Sequence, residues 1–187
     1  MKKMRNKKEL SLKNFVLYND MKLNNAIELG CGNGKDALWL SKKIGKKILA
    51  IDKEIKKNND DKKIINVETD YFDVNKIGKY IKADKHYDLI YSSYSLCFND
   101  KEQIMNVLPF YFKKMKSGGA FYLLDFTSDE KIVSKRTNLW EIWFFDLIKK
   151  YFDNFEIRTK KVFEKEHGHT HHIFELIGKF HKIRHKF

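Results

Sequence analysis

The sequence predicts an α/β fold, a doubly wound and mostly parallel sheet of seven strands with helices on both faces and an antiparallel hairpin at its C-terminal end. Three observations predict it. Short apolar runs alternate with amphipathic segments from Lys22 onward, the first run drops into a glycine-rich turn at 30–34, and the last two runs face each other across Gly168. Parallel neighbours need helical crossovers, so strand–helix alternation at this spacing points to a wound sheet. A length of 187 residues suits one full-sized domain.

The elements follow in chain order. Residues 1–21 form a basic helical segment, a candidate lid, ahead of a main domain at 22–187. Residues 26–29 are the first strand, which enters Gly30-Cys31-Gly32-Asn33-Gly34. Ala37, Leu38, Leu40 and Ile44 recur at helical spacing and predict a helix over 36–44. The second strand, 47–51, ends at Asp52, and the third, 64–68, ends near Asp70. Val74, Ile77, Tyr80 and Ile81 share a helical face, and the fourth strand, 87–91, runs into Ser92-Ser93-Tyr94-Ser95. Asn99 or Asp100 caps the next helix, and Gly118-Gly119 terminates that unit. Pro109 inside it predicts a kink or two pieces, because proline removes a helical donor. Residues 120–126 are the fifth strand. Asn138 with Glu141 resembles a capping box that opens an aromatic-rich helix running to Phe152. Residues 155–163 and 172–180 make the closing hairpin.

Composition narrows the partners. Lys and Arg total 38 against 25 Asp and Glu, a net charge of +13. Clustered cations can bind nucleic acid by releasing phosphate counterions. Here lysine is spread along the whole chain, and arginine occurs only at Arg5, Arg136, Arg158 and Arg184. Arginine is the residue suited to bidentate phosphate contacts, so an ordinary solvated surface is favoured and nucleic acid is the second choice. Cys31 and Cys97 have no paired spacing, which speaks against a disulfide framework or zinc knuckle and fits a soluble protein of the cytoplasm. No apolar run reaches membrane-spanning length, so no membrane partner is expected.

The chemistry concentrates in Ile27-Glu28-Leu29-Gly30-Cys31-Gly32-Asn33-Gly34. A strand delivers the chain to a tight turn where side chains would block a nucleoside from the backbone. Asp52, closing the second strand, can accept hydrogen bonds from both ribose hydroxyls. Asp70 can reach an exocyclic adenine amine, with Tyr71 or Phe72 stacking nearby. A nicotinamide fingerprint needs a glycine at 35, which is Lys35, and no Gly-Lys-Ser/Thr follows for a P-loop. The glycines with Glu28 suit a ligand that has a cationic amino acid end and no pyrophosphate.

These residues resemble the class I, Rossmann-like S-adenosylmethionine-dependent methyltransferase superfamily. The resemblance rests on ELGCGNG at 28–34, AID at 50–52, TDYFD at 69–73, YDLIYSSYSLCF at 87–98 and SGGAFYLLDF at 117–126. Within it the chain is similar to small methyltransferases of the tellurite-resistance type. The resemblance implies S-adenosylmethionine as cofactor and a last strand that runs antiparallel. It implies that Glu28, Gly30, Cys31, Gly32 and Gly34 line the methionine and ribose side. Asp52 with Lys53 would then hold the ribose, and Asp70 with Tyr71 the adenine. Ser92 and Ser93 would supply backbone oxygens facing the amino acid and sulfonium. The usual proline before the Gly-Gly turn is Ser117 here, and no Asn/Asp-Pro-Pro-Tyr/Phe sequence ends the fourth strand, so adenine or glutamine amino methylation by that route is not implied.

Methyl transfer from a sulfonium needs mainly proximity and alignment, with a general base only where the acceptor must lose a proton. Tyr94 and His172 are the candidates for that role. His167, His169 and His171 alternate, yet the turn at Gly168 interrupts a continuous strand, and no metal site is expected. Trp140, Phe98, Phe15 and Tyr18 are candidates to roof an acceptor pocket. The expected acceptor is a small molecule. The alternatives are an RNA or protein acceptor, or a non-catalytic cofactor- or RNA-binding module on the same scaffold.

Overall fold

A computed structural model describes residues 10–56, 61–81, 86–127, 139, 141–164 and 168–180. Its centre is a seven-stranded sheet in the order β3-β2-β1-β4-β5-β7-β6. The strands are β1 (Asn25–Leu29), β2 (Lys47–Asp52), β3 (Ile64–Glu68), β4 (Tyr87–Ser93), β5 (Met115–Phe126), β6 (Asn154–Glu164) and β7 (His169–Lys179). β1 to β5 run parallel, β7 is antiparallel to β5, and β6 is antiparallel to β7. The predicted architecture is the observed one.

Helices α1 (Leu12–Tyr18), α2 (Lys35–Ser41), α3 (Val74–Gly78), α4 (Lys101–Phe112) and α5 (Ile142–Lys149) cover both faces. Side chains alternate across a strand, so neighbours on β1 serve different layers. Ala26 packs with Phe15 and Val16 of α1 and Ala37 and Leu40 of α2. Ile27 packs with Ile77 of α3, Ile104 and Leu108 of α4, and Phe144 and Ile148 of α5. Burial on both faces is what makes the parallel strands read as continuous apolar runs.

Several boundaries differ from expectation for local reasons. α2 ends at Ser41, whose hydroxyl donates to Leu38 O at 2.9 Å, and Leu38 faces solvent instead of the core. Helix α3 is shorter than predicted and stops at Gly78. Asp100 is the N-cap of α4, and its backbone N–H donates to Gln103 Oε1 at 3.2 Å. α4 is one helix with Pro109 inside it, not two pieces. Proline removes the donor that would meet Met105 O, on an exposed turn where water can substitute. Gly118 and Gly119 lie within β5 and do not end the preceding unit. The register shifts there from Tyr87↔Met115 to Leu89↔Ala120, and Gly118 takes φ +80°. A Cβ on Gly119 would come within 2.8 Å of Lys116 O, so the bulge needs glycine. Glu141 is the N-cap of α5, not its third residue, and its carboxylate accepts from Trp143 Nε1 at 2.9 Å. Asn138 and Trp140, like the first nine residues of the N-terminal segment, lie outside the described residues. No helix of the described residues is long and apolar enough to cross a membrane.

Candidate functional site

The strand order reverses at β1, which pairs with β2 on one side and β4 on the other. Connections leave such a switch point in opposite directions and open a crevice at the strand ends. A cavity of about 890 Å³ lies there. Its walls include Glu28, Gly30, Cys31, Gly32, Asp52, Lys53, Tyr71, Ser93 and Tyr94 of the predicted site residues. Gly34, Asp70, Ser92 and His172 are not on its walls.

The glycine turn is tied down by its own amides. Gly30 and Cys31 both donate to Ile51 O, at 2.9 and 3.0 Å, and Gly34 donates to Cys31 O at 2.7 Å. Gly32 donates to Asp52 Oδ2 at 2.7 Å, and Asp52 Oδ1 accepts from the Glu54 N–H at 3.1 Å. These four N–H groups therefore offer a ligand no phosphate cradle, unlike a dinucleotide or P-loop turn. Gly30, Gly32 and Gly34 all have positive φ. A Cβ at Gly30 would overlap Ser95 and approach Tyr71 Cε1 to 3.7 Å, whereas one at Gly32 would meet nothing within 4 Å. Gly30 thus serves close packing, and Gly32 presents bare backbone to the cavity.

Two acids lie under the turn. Glu28 is 3% exposed and accepts from the Tyr91 hydroxyl at 3.0 Å. Burial holds its pKa well above the ordinary carboxylate value, and nearby Asp36 adds to the shift. Asp36, in the first turn of α2, is also raised by burial, while a hydrogen bond from Ser93 Oγ at 3.1 Å pulls the other way. Among the described residues neither acid forms an ion pair. A cationic group would supply the missing countercharge. Cys31 is buried beside them, and desolvation with the charges of Glu28 and Asp52 pushes its thiol up to about 12, so it stays neutral.

Tyr71 is a fixed wall and is almost fully buried. Its hydroxyl donates to Ser95 O at 3.2 Å and accepts from Asn99 Nδ2, and Tyr71 O accepts from Tyr111 at 2.7 Å. Asp70 makes an ion pair with Lys53 at 3.0 Å and accepts from the Phe72 N–H at 3.0 Å. Ser92 is buried within β4, while Ser93 and Tyr94 emerge at its end. Tyr94 has φ +54°, and its ring lies 5.1 Å from that of Phe126. His172 sits on β7, where its carbonyl accepts from Thr127 N at 2.8 Å. His171 packs its ring 5.3 Å from Phe126, and His167 lies outside the described residues. The described residues hold no metal-binding cluster.

Of the proposed roof, Phe98 lines the cavity, but Phe15 is buried against Tyr122 at 5.1 Å, and Tyr18 is exposed away from it. Sequence reasoning missed Asp36, Ser95, Asn99 and Leu124 as walls, while Leu10, Ser11 and Leu12, which also line the cavity, fall in the segment read as a candidate lid. Asp36 alone carried a signal, an acid two residues past the last glycine of the turn. Cys97 is buried and structural, with its N–H on Asp125 Oδ2 at 3.2 Å.

A family model described as tellurite resistance protein TehB matches residues 16–184. No curated protein matches the chain. Among solved structures, the chain is similar to the N-methyltransferase NodS of Bradyrhizobium japonicum WM9 in complex with S-adenosyl-L-homocysteine, at 12% identity and TM-score 0.67 over 88% of this chain and 81% of that one. The 1,6-didemethyltoxoflavin-N1-methyltransferase of Burkholderia thailandensis, with bound 1,6-didemethyltoxoflavin and S-adenosylhomocysteine, gives 12% identity and TM-score 0.64 over 89% and 75%. TehB from Haemophilus influenzae gives 17% identity and TM-score 0.64, covering 90% of this chain and 60% of that one.

Proposed function

The chain belongs to the tellurite resistance protein TehB family of class I S-adenosylmethionine-dependent methyltransferases, and from that membership we propose that it methylates a small-molecule acceptor by direct in-line transfer. One observation carries the reading. The crevice combines a glycine turn whose amides are already used with two desolvated carboxyls, buried Glu28 and half-buried Asp36, that form no ion pair among the described residues. That combination suits a nucleoside bearing an ammonium and a sulfonium, and it does not suit a pyrophosphate.

When bound, S-adenosylmethionine supplies a methyl group on an already activated sulfonium. The chain's own residues bind and orient. Gly32 gives the nucleoside access to backbone, and Asp52 keeps lone pairs free for ribose hydroxyls beyond those that accept from Gly32 and Glu54. Glu28 and Asp36 face the cationic amino acid end. Tyr71 closes the floor, and Ser93 and Tyr94 border the reacting carbon. Of the two acid–base candidates only Tyr94 reaches the cavity, so Tyr94 contacts the acceptor and His172 supports the β5–β7 edge. The bound heterocycle in the Burkholderia enzyme supports a small acceptor in a crevice of this fold.

Isothermal calorimetry with S-adenosylhomocysteine tests the reading. Asp52→Ala should weaken binding by about 1–3 kcal/mol through its lost hydroxyl contacts. Absence of binding by the unaltered protein would overturn it. The net charge of +13 favours a second reading, an RNA acceptor. Methyl incorporation into RNA that collapses with added salt would select it over the first.

A further inference from the structure

We propose that Tyr91 is a positioning residue for the cofactor's amino acid end, its phenol holding the Glu28 carboxylate from behind the cavity wall, and this rests on the methyltransferase reading above. Register puts the two side by side. Glu28 and Tyr91 are direct partners in the parallel β1–β4 ladder, so both side chains leave the same face of the sheet. The Tyr91 hydroxyl donates to Glu28 Oε2 at 3.0 Å. Glu28 is on the cavity wall, whereas Tyr91 is fully buried and is not. Tyr91 therefore acts on a ligand only through Glu28.

The same strand repeats the device. Ser93, two residues on and so on the same face of β4, donates its hydroxyl to Asp36 Oδ2 at 3.1 Å. One strand thus supplies a hydroxyl to each of the two acids under the turn. The two differ in reach, since Ser93 itself lines the cavity and can meet the ligand. Tyr91 is the one of the pair whose hydroxyl can be removed without touching the cavity surface.

Glu28 can pair an ammonium only while it is ionised, and its surroundings work against that. Burial favours the neutral acid, and the charges of Asp36 on α2 and, more weakly, Asp52 on β2 push the same way. Tyr91 and a backbone hydrogen bond from Ala37 oppose them. Cys31, also beside Glu28, stays neutral. Desolvation first, then the Glu28 and Asp36 charges, raise the Tyr91 phenol well above its ordinary value, so it remains a donor wherever Glu28 titrates. A bond donated to the ionised form favours the carboxylate over the acid. A plain benzyl ring at 91 would leave Ala37 alone to offset burial.

Calorimetry of S-adenosylhomocysteine binding to the full chain over a pH series tests this. Affinity should rise with pH as Glu28 and Asp36 ionise, then level off. In Tyr91→Phe, which keeps the ring and its packing, the rise should begin about one pH unit higher, a roughly tenfold weaker affinity on the lower slope. The two proteins should converge within about twofold on the plateau. Tyr122→Phe removes a buried phenol on the same face of the sheet that bonds to Glu175 instead, and should leave the profile unmoved. In a Glu28→Gln background Tyr91→Phe should shift nothing, because the group it acts on no longer titrates. The proposal falls if Tyr91→Phe leaves the profile unmoved, if it weakens binding equally at every pH as lost packing would, or if the shift survives in Glu28→Gln. Failure of the unaltered protein to bind at any pH would instead remove the underlying methyltransferase reading.

Discussion

Gly30 and Gly32 belong to one motif but answer to different constraints, and alanine at each should separate them. Gly30 has φ +76° and Gly32 φ +49°, so each alanine pays the left-handed penalty of about 1–2 kcal/mol. At Gly30 the new Cβ also overlaps both side-chain atoms of Ser95, whose hydroxyl is tied to Tyr71. Overpacking of that kind adds about 1–3 kcal/mol. Gly30→Ala should therefore destabilise the protein by about 2–5 kcal/mol in total, and Gly32→Ala by the smaller amount alone. Urea unfolding gives both values from shifts in midpoint at constant slope. Calorimetry should show the reverse emphasis, with Gly32→Ala the less destabilised of the two yet deprived of S-adenosylhomocysteine binding. A double-mutant cycle isolates the clash, because Gly30→Ala should cost about 1–3 kcal/mol less in a Ser95→Gly background. Equal destabilisation by the two alanines, or a cycle with no coupling, would refute this division of roles.

Two further outcomes follow from the buried acids. Burial, then neighbouring charge, raises the Glu28 carboxyl above its ordinary 4.5, and burial raises Asp36 above 3.8, so the folded state holds these protons more tightly than the unfolded chain. Their contribution to stability is complete below the ordinary carboxylate range and is lost as pH rises through the raised values. Glu28→Gln should gain stability over the unaltered protein as pH climbs through that window, measured by urea midpoints. A cationic ligand should release protons on binding, seen as a binding enthalpy that varies with the buffer's ionisation heat; a buffer-independent enthalpy would remove the cation seat. Farther along the same face of the sheet, buried Glu175 accepts from Tyr122 at 2.8 Å and pairs with Arg158. Burial raises the pKa of Glu175, with Tyr122 and Arg158 opposing. Arg158 is one-third exposed, so Arg158→Ala should cost about 1–3 kcal/mol at pH 8, less than for a fully buried pair. The cost should shrink as Glu175 protonates at lower pH, and adding Glu175→Gln should recover most of it in thermal melts.

The sheet was legible because burial on both faces forces apolar runs, and because the first three runs each end at a glycine or an acid. The turn was legible for the same reason, since Gly30, Cys31 and Gly32 all face one crevice wall. Helix ends were less so. Glu141 reads as the third-residue acid of a capping box until Trp143 claims its carboxylate, and Gly118-Gly119 reads as a terminator until a bulge absorbs it. Within the site, sequence spacing placed acids at strand ends but could not say which way they turn. Asp70 follows the pattern of Asp52, yet it is not on the cavity walls and its carboxylate pairs with Lys53, one residue past Asp52. Leu10, Asn99 and Leu124 reach the crevice from three separate segments, and no local pattern announces a wall assembled that way.

The hydrogen bonds of the turn explain why its glycines and the acid at the end of β2 occur together. Gly30 and Cys31 spend their amides on Ile51 O, which fastens the turn to the second strand. The next residue of that strand is Asp52, and its carboxylate takes the amide of Gly32. A carboxylate in that position completes the turn first and, on the proposed reading, meets the ligand second. Its removal therefore loosens the bare backbone at Gly32 as well as the hydroxyl contacts, two losses from one side chain. Asn at 52 distinguishes them, since an amide oxygen can still accept from Gly32 but carries no charge to strengthen bonds from hydroxyls. If Asp52→Asn bound S-adenosylhomocysteine as weakly as Asp52→Ala, ligand contact would dominate; an intermediate affinity would show that holding Gly32 in place accounts for part of the effect.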